Sequence, residues 1–327
     1  MGLPIIIGQI GIIFVSFADT IMVGQHGTDD LGAASFVNNM FNLAIIFATG
    51  FSYGLTPIVG KLFGSDKRRE IGCTLKNALL ANSAIALLLI AVMGILYLNI
   101  GNLGQPEELL GLMRPYYIVL LITMPFITLF NAFKQFADGI TDTKTSMWIL
   151  LTGNVLNIIG NYVLIFGKCG LPELGLLGAG ISTLFSRMAM LAIFIYIFFR
   201  SKRYTPYSQG FMHGKVTGRE QKELFGIGMP VALQMGMETA SFSLATIMVG
   251  WLGTNALAAH QIMCTVGQLG FMMYYGMAAA VAVKVSNYNG TGDYPNIRSS
   301  ADAGFHLILV MAVVASALIY ILRHSIG

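Results

Sequence analysis

Apolar residues run along this chain in long blocks rather than in alternation. Nine blocks stand at about 3–24, 33–59, 72–99, 115–136, 145–167, 176–199, 227–250, 257–284 and 299–322. Short polar stretches rich in Gly and Pro separate them, such as GQHGTDD, GNLGQPEE and GKCGLPELG. About 20 residues suffice for a helix to cross a hydrocarbon core of ~30 Å. Backbone groups find no water in lipid, so such segments close their hydrogen bonds as α-helices; barrel strands would read as short alternating segments. The expected fold class is an all-α integral membrane protein with about nine transmembrane helices.

One phrase occurs twice. FADTIMVG at 17–24 is followed by QHGTDDLGA, and SLATIMVG at 243–250 by WLGTNALAA. At the same offset of 226, Pro4 falls on Pro230, Gly27 on Gly253, Leu31 on Leu257 and Gly64 on Gly290. Six spans separate the copies. An even number leaves both copies pointing the same way, related by an axis along the membrane normal. Parallel repeats of this kind mark secondary transporters, whose binding sites lie near the bilayer midplane. The expected division is 1–199 with six spans, a linker at 200–226, and 227–327 with three. By its own symmetry the second copy would need about three further helices.

Composition fits this reading. The chain has 327 residues, 55% hydrophobic and 10% charged, with mean hydropathy +0.72; a soluble domain carries about a quarter charged residues. The net charge of +4 matters through its placement. One set of loops holds Lys61, Lys67, Arg68, Arg69 and Lys76, then Lys134 and Lys144, then Arg200, Lys202, Arg203, Lys215, Arg219 and Lys222, then Lys284 and Arg298. The opposite loops hold Arg114, Lys168 and Arg323. Lys and Arg collect on the cytoplasmic side, so the N-terminus is expected there and residue 327 outside. Cys73, Cys169 and Cys264 have no metal or disulfide spacing and read as reduced, packed thiols. No cleavable signal peptide is evident.

Two acids stand inside apolar blocks. Asp19 lies about two-thirds along the first span and Glu238 near the middle of the seventh. An ionisable group at that depth costs at least ~2.5–3.5 kcal/mol and usually faces an aqueous cavity with a task; the plainer alternative is a snorkelling or paired acid. Glu238 aligns with Ile12 and Asp19 with Ala245, so the two acids sit two turns apart on one repeat face, about 10 Å in depth. Desolvation of such carboxylates favours proton exchange, whereas a nearby Na⁺ favours the ionised form. On span five, Asn154, Asn157 and Asn161 share a face at i, i+3 and i+7. Their amide oxygens suit a hard cation, or they are interhelical hydrogen-bonding glue. Thr183 and Arg187 lie one turn apart on span six; Arg187 either partners an acid or reaches backbone carbonyls. Asn38, Asn39, Asn42, Asn131 and Gln135 are further cavity candidates. FMMYYGM at 271–277, with Met273 and Tyr274, reads as an adaptable apolar wall or as packing.

These residues resemble the multidrug and toxic compound extrusion (MATE) family. The similarity rests on P-x(4)-Q, DTIMVG and LGAAS within 4–35, on GLTPIVGKLFG, on NIIGNYVLIFGKCGLPELGLLGAGIST at 157–183, and on P-x(7)-E with IMVGWLGTNALAAHQI at 230–262. The acid eight residues after Pro230 looks like the NorM-type branch. The resemblance implies two six-helix lobes around a central cleft, with the second incomplete in a chain truncated at its C-terminus. It implies exchange of Na⁺ or H⁺ for cationic, often aromatic compounds by alternating access. It also implies a cation site at Asp19, Asn157, Asn161 and Thr183, with Glu238 as the acid of the second lobe. Gln9, Asn38, Asn42, Asn154, Arg187, Gln261, Met273 and Tyr274 are the cleft candidates. Some members have Asp at the Asn161 position, which leaves the ion open.

The expected protein is a monomeric antiporter of the bacterial inner membrane, with a small-molecule substrate, membrane lipid around it, no nucleic acid and no cofactor beyond the coupling ion. A cleft rich in basic residues would instead favour an exporter of lipid-linked or other metabolites on the same fold. An intramembrane enzyme would need a nucleophile–base pair or metal cluster at depth. There is no H-E-x-x-H or G-x-S-x-G, and the five His are scattered. A non-transporting scaffold would tolerate replacement of Asp19.

Overall fold

Each apolar block closes into helix, because only i→i−4 bonding satisfies a backbone with no solvent partner. The structure is a computed structural model. It describes residues 2–102, 107–251 and 253–326, without the side chains of 247, 250, 254–258, 261, 262, 265, 266, 269, 272, 318, 319 and 322–326. The described helices are α1 (Gly2–His26), α2 (Thr28–Tyr53), α3 (Leu55–Gly64), α4 (Arg68–Leu98), α5 (Glu107–Gly139), α6 (Thr143–Ile165), α7 (Gly175–Arg200), α8 (Thr205–His213), α9 (Gly218–Gly250), α10 (Thr254–Thr291) and α11 (Tyr294–Ile326). With α2 and α3 taken together, seven segments among the described residues are long and apolar enough to cross a membrane. α9 and α10, of 33 and 38 residues, have the length but are not among those seven. In α9 the apolar run is diluted by Gln234, Glu238, Thr239, Ser241, Ser243 and Thr246.

The largest buried side chains line the first seven helices and the linker. Phe41 meets Tyr117 edge-on at 4.7 Å, and the Tyr117 hydroxyl donates to the Met93 carbonyl at 2.8 Å. A column of rings (Phe133, Phe194, Phe198 and Phe136) continues into Tyr204 and Tyr207 of the linker. The polar 200–226 stretch is therefore not free in solvent. Asp142, 2% exposed, accepts from Tyr204 Oη at 2.6 Å and from Thr145 Oγ1 at 2.8 Å, and pairs with Arg203 at 3.0 Å. α8 lies so close to α4 that Gly72 abuts the Tyr207 carbonyl and Gly210 the Arg69 carbonyl.

Contacts between the first seven helices and α9–α10 obey the sequence repeat. A Cβ on Gly50 of α2 would lie 2.9 Å from the Ala232 Cα of α9. Its image contact, 226 positions on and back, joins Gly276 of α10 to Ile6 of α1, where a Cβ would lie 2.8 Å from Ile6 Cγ1. Gly54 approaches Gly228 in the same manner, at 2.6 Å. Gly60 touches Ser286, and Gly290 approaches Gly64 to 3.0 Å; each of these pairs consists of a residue and its own repeat image. Ser65 Oγ adds a 2.7 Å bond to the Gly290 carbonyl. These approaches fall at the end of the bundle that carries Gly2, α3 and the linker. Farther along α9, Glu238, six residues beyond Ala232, is exposed.

Lys134 differs from its sequence assignment to a loop. It lies inside α5, buried beside Asp138. Asp30, Asp138 and Asp142 are buried, whereas Asp19 is half-buried and Glu238 exposed, so the acids singled out in the sequence are not the most buried ones.

Candidate cation site

Three helices meet at Asp19 because small residues let their backbones close in. Gly8 and Gly11 of α1 lie against Leu150, Leu151 and Asn154 of α6. Gly153 and Gly160 of α6 lie against Met190 and Ser182 of α7, and Gly178 abuts the Leu164 carbonyl. Side chains at this depth must find partners in one another, since an unpaired polar group in an apolar setting costs about 1–3 kcal/mol.

The result is a connected polar chain. Asn161 Nδ2 donates to Asp19 Oδ1 at 2.5 Å and approaches Asn157 Oδ1 at 3.5 Å. Asn157 Nδ2 donates to Thr183 Oγ1 at 3.2 Å, whose hydroxyl donates to the Ala179 carbonyl at 3.0 Å. Ser182 Oγ holds the Asn157 carbonyl at 2.8 Å. Asn157 and Asn161 are 3% and 0% exposed, and Asp19 is half-buried. Asn161 Oδ1 is buried with no hydrogen-bond partner, a free acceptor next to the carboxylate. Arg187 acts on Asp19 electrostatically from α7; its Nη1 lies 3.8 Å from Met190 Sδ and its Nε has no partner. One carboxylate, two amide oxygens and a hydroxyl form a hard oxygen set for a monovalent cation or a proton. Among the described residues no group of three His, Cys, Asp or Glu is placed to hold a metal ion.

The other candidates spread around this centre. Asn38 Oδ1 accepts from Tyr116 Oη at 2.9 Å, and Tyr116 in turn feels the Asp19 charge. Tyr116 was missed in the sequence, where one ring in an apolar run carries no distinguishing signal. Asn154 is buried with Nδ2 unpartnered, Gln9 is buried nearer the start of α1, and Asn42 is exposed. Asn131 and Gln135 bond Thr49 and Thr56 of α2 and α3 and do not join the Asp19 group. Glu238 stands apart on α9, within electrostatic reach of Tyr275. Met273 is exposed and Tyr274 half-buried. Gln261 lies outside the described side chains.

A second polar cluster caps the end opposite the linker. His26 bonds Asp30 through Nδ1 and Glu173 through Nε2, the latter at 3.1 Å. Gly175, with φ +53, leaves room for the ring: a Cβ there would lie 2.6 Å from His26 Cε1.

The family model described as MatE matches residues 4–163 and 230–327. A probable multidrug resistance protein NorM from Photorhabdus laumondii is 31% identical over 317 residues, 97% of this chain and 70% of that protein. The multidrug resistance protein NorM of Vibrio cholerae is 28% identical over 324 residues, 99% and 71% of the two chains. A multidrug resistance MATE family transporter of the MOP superfamily, solved in an outward-facing conformation, superposes with TM-score 0.84 at 21% identity, covering 100% of this chain and 72% of that one.

Proposed function

From the premise that this chain belongs to the MATE family of multi-pass membrane transporters, and is not an enzyme, we propose that it exports cationic, aromatic compounds in exchange for Na⁺ or H⁺ by alternating access. The observation that carries the exchange is the Asp19–Asn161–Asn157–Thr183 chain facing Arg187. A cation on the Asp19 carboxylate competes with the Asn161 N–H and offsets the need for the Arg187 charge. Loss of the cation returns both. The coupling ion therefore has a local two-state element to bias, and coupling requires only that ion and substrate favour different states. Glu238, exposed on α9, supplies the second acid.

The close approaches of helices at the linker end support a state closed on that side. The excess of Lys and Arg in the linker-side loops supports a cytoplasmic N-terminus in a bacterial inner membrane. Two acids in membrane-length helices, Asp19 and Glu238, against the half-buried Arg187 favour a cationic substrate over an anionic one. The test is ethidium efflux from proteoliposomes containing the protein, driven in turn by imposed Na⁺ and H⁺ gradients. Efflux that follows one gradient and collapses with it supports the reading; efflux indifferent to both removes the exchange.

A further inference from the structure

Between Asp19 and the linker end, α5 carries polar groups that the proposed cycle does not use. Asn131, Lys134, Gln135 and Asp138 fall at helical spacing along one face. Asn131 Nδ2 donates to Thr49 Oγ1 at 3.0 Å, and Thr56 Oγ1 to Gln135 Oε1 at 2.8 Å, so this face turns to α2 and α3. Lys134 Nζ reaches Asp138 Oδ2 at 2.8 Å, with the two side chains 10% and 6% exposed. The pairing is incomplete. Asp138 Oδ1 and Gln135 Nε2 are buried without a hydrogen-bond partner. A buried ion pair with unfilled polar atoms is no more stable than apolar packing of the same volume. Stability alone gives no reason for this one.

Its position does. Lys134 interacts electrostatically with Tyr53 at the end of α2. The Tyr53 ring meets Tyr275 of α10 edge-on, with centroids 5.5 Å apart, and Tyr275 stacks on Phe271 at 6.0 Å. Tyr53 therefore links the surroundings of Lys134 to α10 through its ring contact with Tyr275. Glu238 feels the same Tyr275.

We propose that Asp138, with Gln135 and Tyr53, is an exchangeable ammonium site on the linker side of the Tyr53–Tyr275 contact. Lys134 is its tethered resident cation, and the ammonium group of an organic cation takes its place when that contact parts. No covalent bond changes: the incoming ammonium takes over the Asp138 charge, and the Lys134 ammonium, still tethered, turns to the water admitted as the contact parts. Gln135 Oε1 and the second Asp138 oxygen can accept from the added N–H groups. The faces of Tyr53 and Tyr275 suit the body of an aromatic cation. The substrate class rests on the transport reading above; the site itself does not.

Chemical rescue tests it. The purified chain in detergent is melted with rising ethylammonium, against Na⁺ at equal ionic strength. Lys134→Ala should melt below wild type. Ethylammonium should raise it saturably, recovering at least half the loss, while wild type, where it must compete with Lys134, responds only at higher concentration and the Lys134→Ala/Asp138→Asn double variant does not respond. Lys134→Met, which fills more of the space, serves the same comparison if the Ala variant does not fold. Equal shifts in all chains, or none in either Lys134 variant, overturn the site. Ethidium efflux is measured alongside. Rescue without wild-type efflux keeps the site and removes the transport reading; efflux without rescue does the reverse.

Discussion

Asn161 donates its side-chain N–H to Asp19 across the contact of α6 with α1, 142 residues apart in sequence, at 2.5 Å. The Asp19 carboxylate is thus held by a neutral amide in direct contact and by Arg187 through its electrostatic field. Neutral contact keeps the carboxylate available: a cation displaces one amide bond rather than a full ion pair, whose rupture in a buried setting costs about 3–5 kcal/mol.

Replacing Asp19 by Asn keeps shape and hydrogen bonding and removes the exchangeable charge. Because a neutral amide is cheaper in lipid than a carboxylate, expression should persist while gradient-driven ethidium efflux fails. Asn157→Ala removes one neutral oxygen among several and should weaken ion dependence only a few-fold. Wild-type efflux with unchanged ion dependence in Asp19→Asn would transfer the coupling role to Glu238.

Gly60 touches Ser286, so a side chain at Gly60 has nowhere to go. Gly60→Val should lower stability by about 1–3 kcal/mol, the usual cost of overpacking a close contact. Thermal melting in detergent reads it, with Gly94→Val as control, since nothing lies within 4 Å of a Cβ there. Equal melting of the two variants would contradict the close seam.

Asp142 holds the linker through Tyr204, Arg203 and Thr145. Burial holds the Tyr204 phenol well above its ordinary range, with the bond to Asp142 adding to it, so this hydroxyl remains a donor throughout the accessible pH range. Asp142→Ala leaves that donor unpaired, which costs about 1–3 kcal/mol, and should free 201–217 for proteolysis. Trypsin cleavage at Arg203 no faster than in wild type would show that the aromatic column alone secures the segment.

Both ring nitrogens of His26 face carboxylate oxygens. An ionised carboxylate only accepts, so both bonds require the imidazolium, and the neutral ring keeps one of them. Amide exchange in 166–174 should be slow in wild type and markedly faster in His26→Gln, which cannot reach both carboxylates in this geometry. Equal exchange in the two proteins would remove the clamp.

Gln209 is exposed on α8. With Cys73, Cys169 and Cys264 replaced, Gln209→Cys should react with an impermeant thiol reagent only after cells are opened. Labelling of intact cells would invert the topology.

The long helices were legible because spacing alone sets them: an apolar block of membrane length has one way to satisfy its backbone. Asp19, Asn157, Asn161 and Thr183 were legible as polar residues in apolar blocks, and packing joins them into one chain. Lys134 and Asp138 were not. They stand near the end of a block, where charges usually meet water, and their i, i+4 spacing is the same in a solvated turn as in a buried one. The 200–226 stretch read as a linker from its polarity, yet its glycines and tyrosines pack against α4 and α5. Gly210 and Tyr207 mean little until Gly72 is known to lie opposite.

Where the repeats meet, Gly60 faces Ser286 and Gly64 faces Gly290, each position against its own duplicate. Elsewhere the two halves of a duplicated chain are free to diverge, because a change in one copy leaves its twin untouched. Along this seam any enlargement on one side must be answered by a reduction on the other. The sequence repeat therefore meets itself here as a shared allowance of space, and a successful variant should arise as compensated pairs rather than single exchanges.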